Sequence, residues 1–352
     1  MNKQCILHIG LHKTGSTSIQ NSLYSEKFNK TYSYLNLDSA NHSVRLYSLF
    51  VEQPDTYYWH IRNGLTSDQV KAFNEETKNL LNESIKSNEL EKTIISGEDI
   101  SVLTEFSVYK LKEFLNDYFD DILVIAYIRS PYSYIQSSFQ EGIKAGYNSF
   151  KLGQLYANYR SRIEKFDTVF GQENVKLYEF NPKLFYKNDI VKDFCQNINI
   201  SISQNHIIKA NKSLSAQASK LLYTYYKFGP GYGVGAHVQM ENLLLINKIS
   251  SIEGLKFKFS PDLIRPIIEF HTKDVQWIEK RLGSSFHDNM KSTPDDICSE
   301  SDMLDIDIDS LECLNNLVGS GSKIKISQNM PIEDVAMLVH ELRLKLVKEH
   351  VL

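Results

Sequence analysis

The sequence predicts an α/β protein, a three-layer arrangement with a parallel sheet flanked by helices, and three observations carry that reading. Short apolar runs recur at 4–10 (QCILHIG), 92–97 (KTIISG), 121–128 (DILVIAYI) and 174–180 (NVKLYEF). The stretches between them have helical spacing, as crossovers joining parallel strands require. The run ILVIAYI is apolar at every position, which suits an interior strand covered on both faces and predicts a place in mid-sheet.

Each element follows in chain order. The first run leaves into GLHKTGSTS (10–18), a turn with two glycines, one lysine and four hydroxyl side chains that opens a helix. Residues 11–91 separate the first two runs, far more chain than a crossover needs, and include TYYWHIR (56–62) and a polar helix from about Ser67 to Leu90. This insertion is expected to shape a substrate pocket. After Tyr186 the pattern is mainly helical, broken by the glycine-rich KFGPGYGVGAH (227–237), which suits a lid. From about Ser299 the character shifts to acidic DMLDIDIDSLE, GSGS (319–322), a strand-like KIKIS and a helix opening at Pro331. Glu333 and Asp334 in that helix's first turn, with Arg343, Lys345 and Lys348 near its end, complement the helix dipole. Val335, Leu338, Val339, Leu342 and Leu346 make its apolar face. Residues 1–298 therefore read as the main domain. Residues 299–352 read as a small appendage that docks on it or on a second copy, which allows a homodimer.

Composition limits the partners. A chain of 352 residues, 42% hydrophobic with 16 glycines and 8 prolines, can bury a substantial core. Thirty-nine basic against 43 acidic residues leave a net charge of −4, with no global basic field to recruit nucleic acid. No apolar run nears the roughly 18 residues that span a bilayer, and His8 and His12 break any signal-like segment, so a cytoplasmic protein without a membrane span is expected. Cys5, Cys195, Cys298 and Cys313 are scattered without CxxC spacing, which argues against zinc and against a disulfide framework.

A glycine turn between a buried strand and a helix directs several backbone N–H groups and the positive helix end at one point, a setting for phosphate. Gly10 to Gly15 has the glycine spacing of the nucleotide-binding GxxxxGK[ST] loop, but Ser16 follows the second glycine and the lysine, Lys13, precedes it. The strand ILVIAYI ends in Arg129, where a nucleotide kinase would want a carboxylate to help hold magnesium.

HKTGSTS resembles the 5′-phosphosulfate-binding loop of the sulfotransferases, whose donor is 3′-phosphoadenosine 5′-phosphosulfate (PAPS) and whose product is the 3′,5′-bisphosphate (PAP). The resemblance implies a P-loop-type sheet. It also implies an early-loop catalytic lysine, matched by Lys13, and a phosphate cradle matched by Thr14, Gly15, Ser16, Thr17 and Ser18. The family's second motif grips the donor's 3′-phosphate with a strand-end arginine and a serine eight residues later. IRSPYSYIQSSF supplies Arg129 and Ser137 at that separation, and NKSLS (211–215) places Lys212 and Ser213 near the same phosphate by resemblance. NYRSRIEKFDTVFG (158–171) and VKLYEF are also similar to bacterial members, so the likeness runs from about Lys3 to Lys227.

Sulfuryl transfer needs no metal: the main demand is to stabilise charge developing on the leaving phosphate oxygen, which one placed ammonium can meet. The acceptor hydroxyl needs a base. Carbohydrate-type members use a glutamate just after the second apolar run, a position Glu98 occupies, with Asp99 beside it and His12 in the loop as alternatives. The expected acceptor is therefore a hydroxyl on a saccharide or glycolipid. The rival readings are a variant nucleotide-dependent kinase and a non-catalytic binding protein on the same fold.

Overall fold

The computed structural model describes residues 3–26, 29–209, 213–231, 233–288, 290–320, 322 and 324–351. Five parallel strands, β1 (Gln4–His8), β2 (Ser33–Tyr34), β3 (Lys92–Ser96), β4 (Asp121–Ile128) and β5 (Val175–Glu179), lie in the order β2-β3-β1-β4-β5. All four apolar runs of the sequence are strands, and β4 lies inside the sheet, paired to β1 from Gln4↔Asp121 and to β5 from Val124↔Val175. β2 is an addition: it pairs with β3 through Ser33↔Thr93 and Tyr34↔Ile94 only.

Alternate residues along these strands enter two separate apolar layers. Cys5, Leu7, Ile95, Val124, Ala126 and Ile128 join one core, and Ile6, Ile94, Ile125 and Tyr127 join the other. A strand apolar at every position needs both faces covered, and helices on each side supply the cover.

The insertion between β1 and β3 contains helices Ser16–Ser25, Ser43–Phe50, Tyr58–Asn63 and Ser67–Lys86. The last is the predicted polar helix, opened by a Thr66–Gln69 capping box. Helix Pro131–Lys144 follows β4 with proline in its first turn, where a missing N–H costs nothing. Helices Ala216–Phe228 and Ala236–Ile249 flank the glycine-rich loop, which is pinned where Gly231 O accepts from Arg343 and where Gly235 N donates to Arg62 O.

In the C-terminal segment, Met303, Leu311, Leu314 and Val318 join the larger core with the predicted apolar face of helix Ile332–Val351. The described part of KIKIS, residues 324–327, forms no strand: Ile324 and Ile326 lie in irregular chain, partly buried against that core. No described helix is long and apolar enough to cross a membrane.

Candidate active site

The carboxyl ends of β1, β3 and β4 deliver three segments to one crevice, the usual ligand edge of an open parallel sheet. From β1 comes the glycine loop. Gly10 has φ 90°, and a Cβ there would meet the Cβ of Glu98 at 3.0 Å, so a glycine lets the loop and the end of β3 close on each other. Gly15 (φ 79°) is the cap of helix Ser16–Ser25, which has neither a side-chain cap nor an acid in its first turn.

The loop's carbonyls are occupied from behind. Leu11 O accepts from Thr14 Oγ1 (2.5 Å) and Ser16 Oγ (3.4 Å), and Lys13 O accepts from Arg129 (2.9 Å). With those acceptors engaged, the uncapped helix end gives the loop the polarity of an anion cradle. Thr14, Ser16 and Ser18 are buried and Thr17 is half-buried. The hydroxyls of Thr14 and Ser16 are turned inward, so these two residues serve the loop's shape with their side chains.

Lys13 stands in the left-handed region (φ 63°), and its Nζ meets Glu141 Oε2 at 2.9 Å on helix Pro131–Lys144. From β4 comes Arg129, whose Nε donates to Ser133 Oγ at 3.1 Å and whose guanidinium lies 5.2 Å from the centre of the Phe180 ring. Burial pulls the Arg129 pKa below its ordinary value, with Asp288 acting in the opposite direction. An arginine remains a cation throughout the working pH range all the same. Asp288 accepts from Ser130 at 2.5 Å, and Ser130 contacts Ser133 at 2.8 Å. Ser137, the serine eight residues after the arginine, lies one helical turn beyond Ser133 on the same face. Lys212 falls outside the described residues, and Ser213 is exposed on the chain leading to helix Ala216–Phe228.

From β3 come the two acids, and the structure separates their roles. Asp99 is only 4% exposed and fully engaged. Its Oδ1 takes His12 Nε2 at 2.7 Å, while Oδ2 takes the hydroxyls of Tyr57 and of Tyr58 (3.4 Å). Burial pushes its carboxyl upward, but the His12 contact and the tyrosine hydroxyls outweigh that and hold it below the usual range. His12 is bound on its other side by Arg162, 3.3 Å from Nδ1, so the ring is fixed between an acid and a guanidinium. Glu98 differs. Its carboxylate accepts no hydrogen bond from a described residue, and burial, assisted by Asp99 and opposed by His12 and Lys13, raises its pKa above the ordinary carboxylate value.

Sequence reasoning missed Glu141, Ser133, Arg162 and Asp288. Ser133 alone had a readable signal, the i,i+4 spacing from Arg129; the others arrive from 128, 150 and 158 residues away.

No family model matches this chain. An uncharacterized protein of Archaeoglobus fulgidus is 26% identical over 128 residues, 35% of this chain and 34% of that protein, so the match spans about a third of the relative's length. Two solved structures are similar. One is a sulfotransferase from Alicyclobacillus acidocaldarius, at TM-score 0.44 and 13% identity, covering 81% of this chain and 98% of that one. The other is the sulfotransferase domain from the curacin biosynthetic pathway, at TM-score 0.35 and 12% identity, covering 60% of this chain and 79% of that one.

Proposed function

We propose that the chain is a PAPS-dependent sulfotransferase that moves a sulfuryl group to a hydroxyl on a saccharide or glycolipid. The observation that supports it best is the pairing, in one crevice, of a phosphate-type loop bearing Lys13 with an unengaged carboxylate of raised pKa, Glu98. The loop passes the Cα and Cβ of Glu98 closely at Gly10, and Lys13 is close enough to influence the Glu98 charge.

The acceptor oxygen attacks sulfur as its proton passes to Glu98. The bond from sulfur to the phosphate oxygen breaks, and PAP leaves with its electrons. Lys13 opposes the charge that develops on that oxygen, and the uncapped end of helix Ser16–Ser25 holds the 5′-phosphate. Arg129, with Ser133 and Ser137 along one helix face, takes the 3′-phosphate. Asp99 positions His12 and is itself too heavily hydrogen-bonded to serve as the base.

The test is transfer of labelled sulfate from PAPS to mixed saccharide and glycolipid acceptors, with PAP binding followed by thermal shift in EDTA. PAP should raise the melting temperature without magnesium. A shift produced only by ATP with magnesium would move the assignment to a kinase. Strong PAP binding with no transfer to any acceptor would leave a binding protein.

A further inference from the structure

Residues 158–171 form helix Tyr159–Phe170 and its caps, and the proposed reaction assigns them no step. Two side chains three residues apart, on one face of that helix, nevertheless reach both segments proposed to hold the sulfuryl donor. Tyr159 is fully buried, and its hydroxyl donates to Arg129 O at 2.7 Å. Arg162 brings NH1 to 3.3 Å from His12 Nδ1, with its guanidinium carbon 6.0 Å from the centre of the Tyr134 ring. Since Arg129 in turn donates to Lys13 O, the contacts close a circuit from the helix through Arg129 and the glycine loop to His12 and back.

Arg162 is not engaged by an acid. Its neighbour Arg160 pairs with Glu164 one turn on, whereas Arg162 makes no ion pair among the described residues. The loop has need of such a contact. Lys13, the residue after His12, stands in the left-handed region, which a residue with a side chain keeps only when its surroundings over-determine it. Arg129 and Glu141 hold Lys13 directly, and His12 is gripped just before it.

We propose that Arg162 is a positioning residue for the phosphate loop: it holds His12 as the neutral Nε2–H tautomer, so that one ring ties the loop both to Asp99 at the end of β3 and to helix Tyr159–Phe170. A guanidinium carries five N–H donors and no acceptor, so the nitrogen it approaches offers a lone pair. Nδ1 of His12 is thus unprotonated, the ring proton sits on Nε2, and that N–H donates to Asp99 Oδ1 at 2.7 Å. Both ring nitrogens are then in use, and neither is left to take a proton from an acceptor hydroxyl. An imidazolium here would pull the Glu98 carboxyl down; a neutral ring removes that opposition and suits Glu98 to the role of base.

The first readout is the ring itself. The full chain labelled with nitrogen-15 histidine, its His12 signals assigned by their loss in His12→Gln, should show near neutral pH a protonated Nε2 and an accepting Nδ1. Arg162→Met should move the Nδ1 signal and weaken PAP binding roughly 3 to 10-fold, the loss expected for one hydrogen bond acting through the loop. Arg162→Lys, which keeps a donor without the planar fork, should recover part of both. An imidazolium, or a proton on Nδ1, in the unmodified chain overturns the proposal without any variant. So does an unmoved Nδ1 signal in Arg162→Met, or a PAP affinity there equal to that of the unmodified chain. The role in holding the donor rests on the sulfotransferase reading, and an unmodified chain that binds no PAP would sink that reading, while the nitrogen-15 spectrum decides the tautomer separately.

Discussion

Lys13 as it stands is held by Glu141, and before its ammonium can serve a leaving oxygen that contact must break or be shared. Glu141→Gln tests the consequence. The lysine side chain is 20% exposed and the glutamate 50%, so the pair at 2.9 Å belongs with partly solvated ion pairs worth about 0.2 to 1 kcal/mol. Removing the glutamate charge also releases Lys144, 3.7 Å away, and removes a negative group from beside the proposed phosphate site, so both effects favour anion binding. PAP should therefore bind about 1.4 to 5-fold more tightly to the variant at low salt. Isothermal titration at two ionic strengths measures this, and the gain should shrink at high salt because screening weakens exposed charges first. If Glu141→Gln binds PAP more weakly, Glu141 does not compete with the donor but aims Lys13 at it, and the reasoning fails.

The other predictions concern the acids, the arginine and two buried histidines. Glu98→Gln should lower kcat about 100 to 10,000-fold with PAP affinity retained, and the acid limb of the wild-type kcat profile should lie above the ordinary carboxylate range, because activity is lost as pH falls through a raised pKa. Retained turnover in that variant would remove Glu98 from the mechanism. Arg129→Ala should weaken PAP far more than adenosine 5′-phosphosulfate, which lacks the 3′-phosphate; equal losses would show that the arginine merely holds the loop through Lys13 O. His8 and His42 are fully buried, and burial lowers both to about 3. The unfolded chain takes up their protons near pH 6.5 and the folded chain does not, so stability must fall as pH drops below that value. The pair should account for about 4 kcal/mol of loss between pH 7 and 5, read as a shift in denaturant midpoint that His42→Gln roughly halves. An unchanged pH dependence in that variant would show that His42 is already charged in the fold.

How much of this was legible depends on how local each signal is. β4 is apolar from Ile122 to Ile128, and burying both faces of an interior strand leaves no other pattern for its residues to show, while β1, β3 and the edge strand β5 are shorter runs with polar residues among them. β2 left no such trace, because Ser33 and Tyr34 become a strand only by pairing with Thr93 and Ile94. KIKIS shows the opposite failure: it alternates like a strand, but its described residues 324–327 pair with no strand, and its isoleucines pack partly buried against the larger core instead.

The site divides in the same way. The glycine loop, Arg129 and the Glu98–Asp99 pair could be found because each sits at the end of a strand, where a turn must follow and the sheet edge fixes its position. Which acid is unengaged could not be read, since neighbours in sequence gain partners from distant chain: Tyr57, Tyr58 and His12 converge on Asp99, while Gly10 brings only backbone against Glu98. The difference between the two carboxylates is therefore made by the 11–91 insertion, which supplies His12 and the two tyrosines that engage Asp99. A segment far longer than a crossover requires thus sets which carboxylate stays unengaged, and if the proposed function holds, exchanging it should alter acceptor choice while leaving PAP binding at the loop and Arg129 in place.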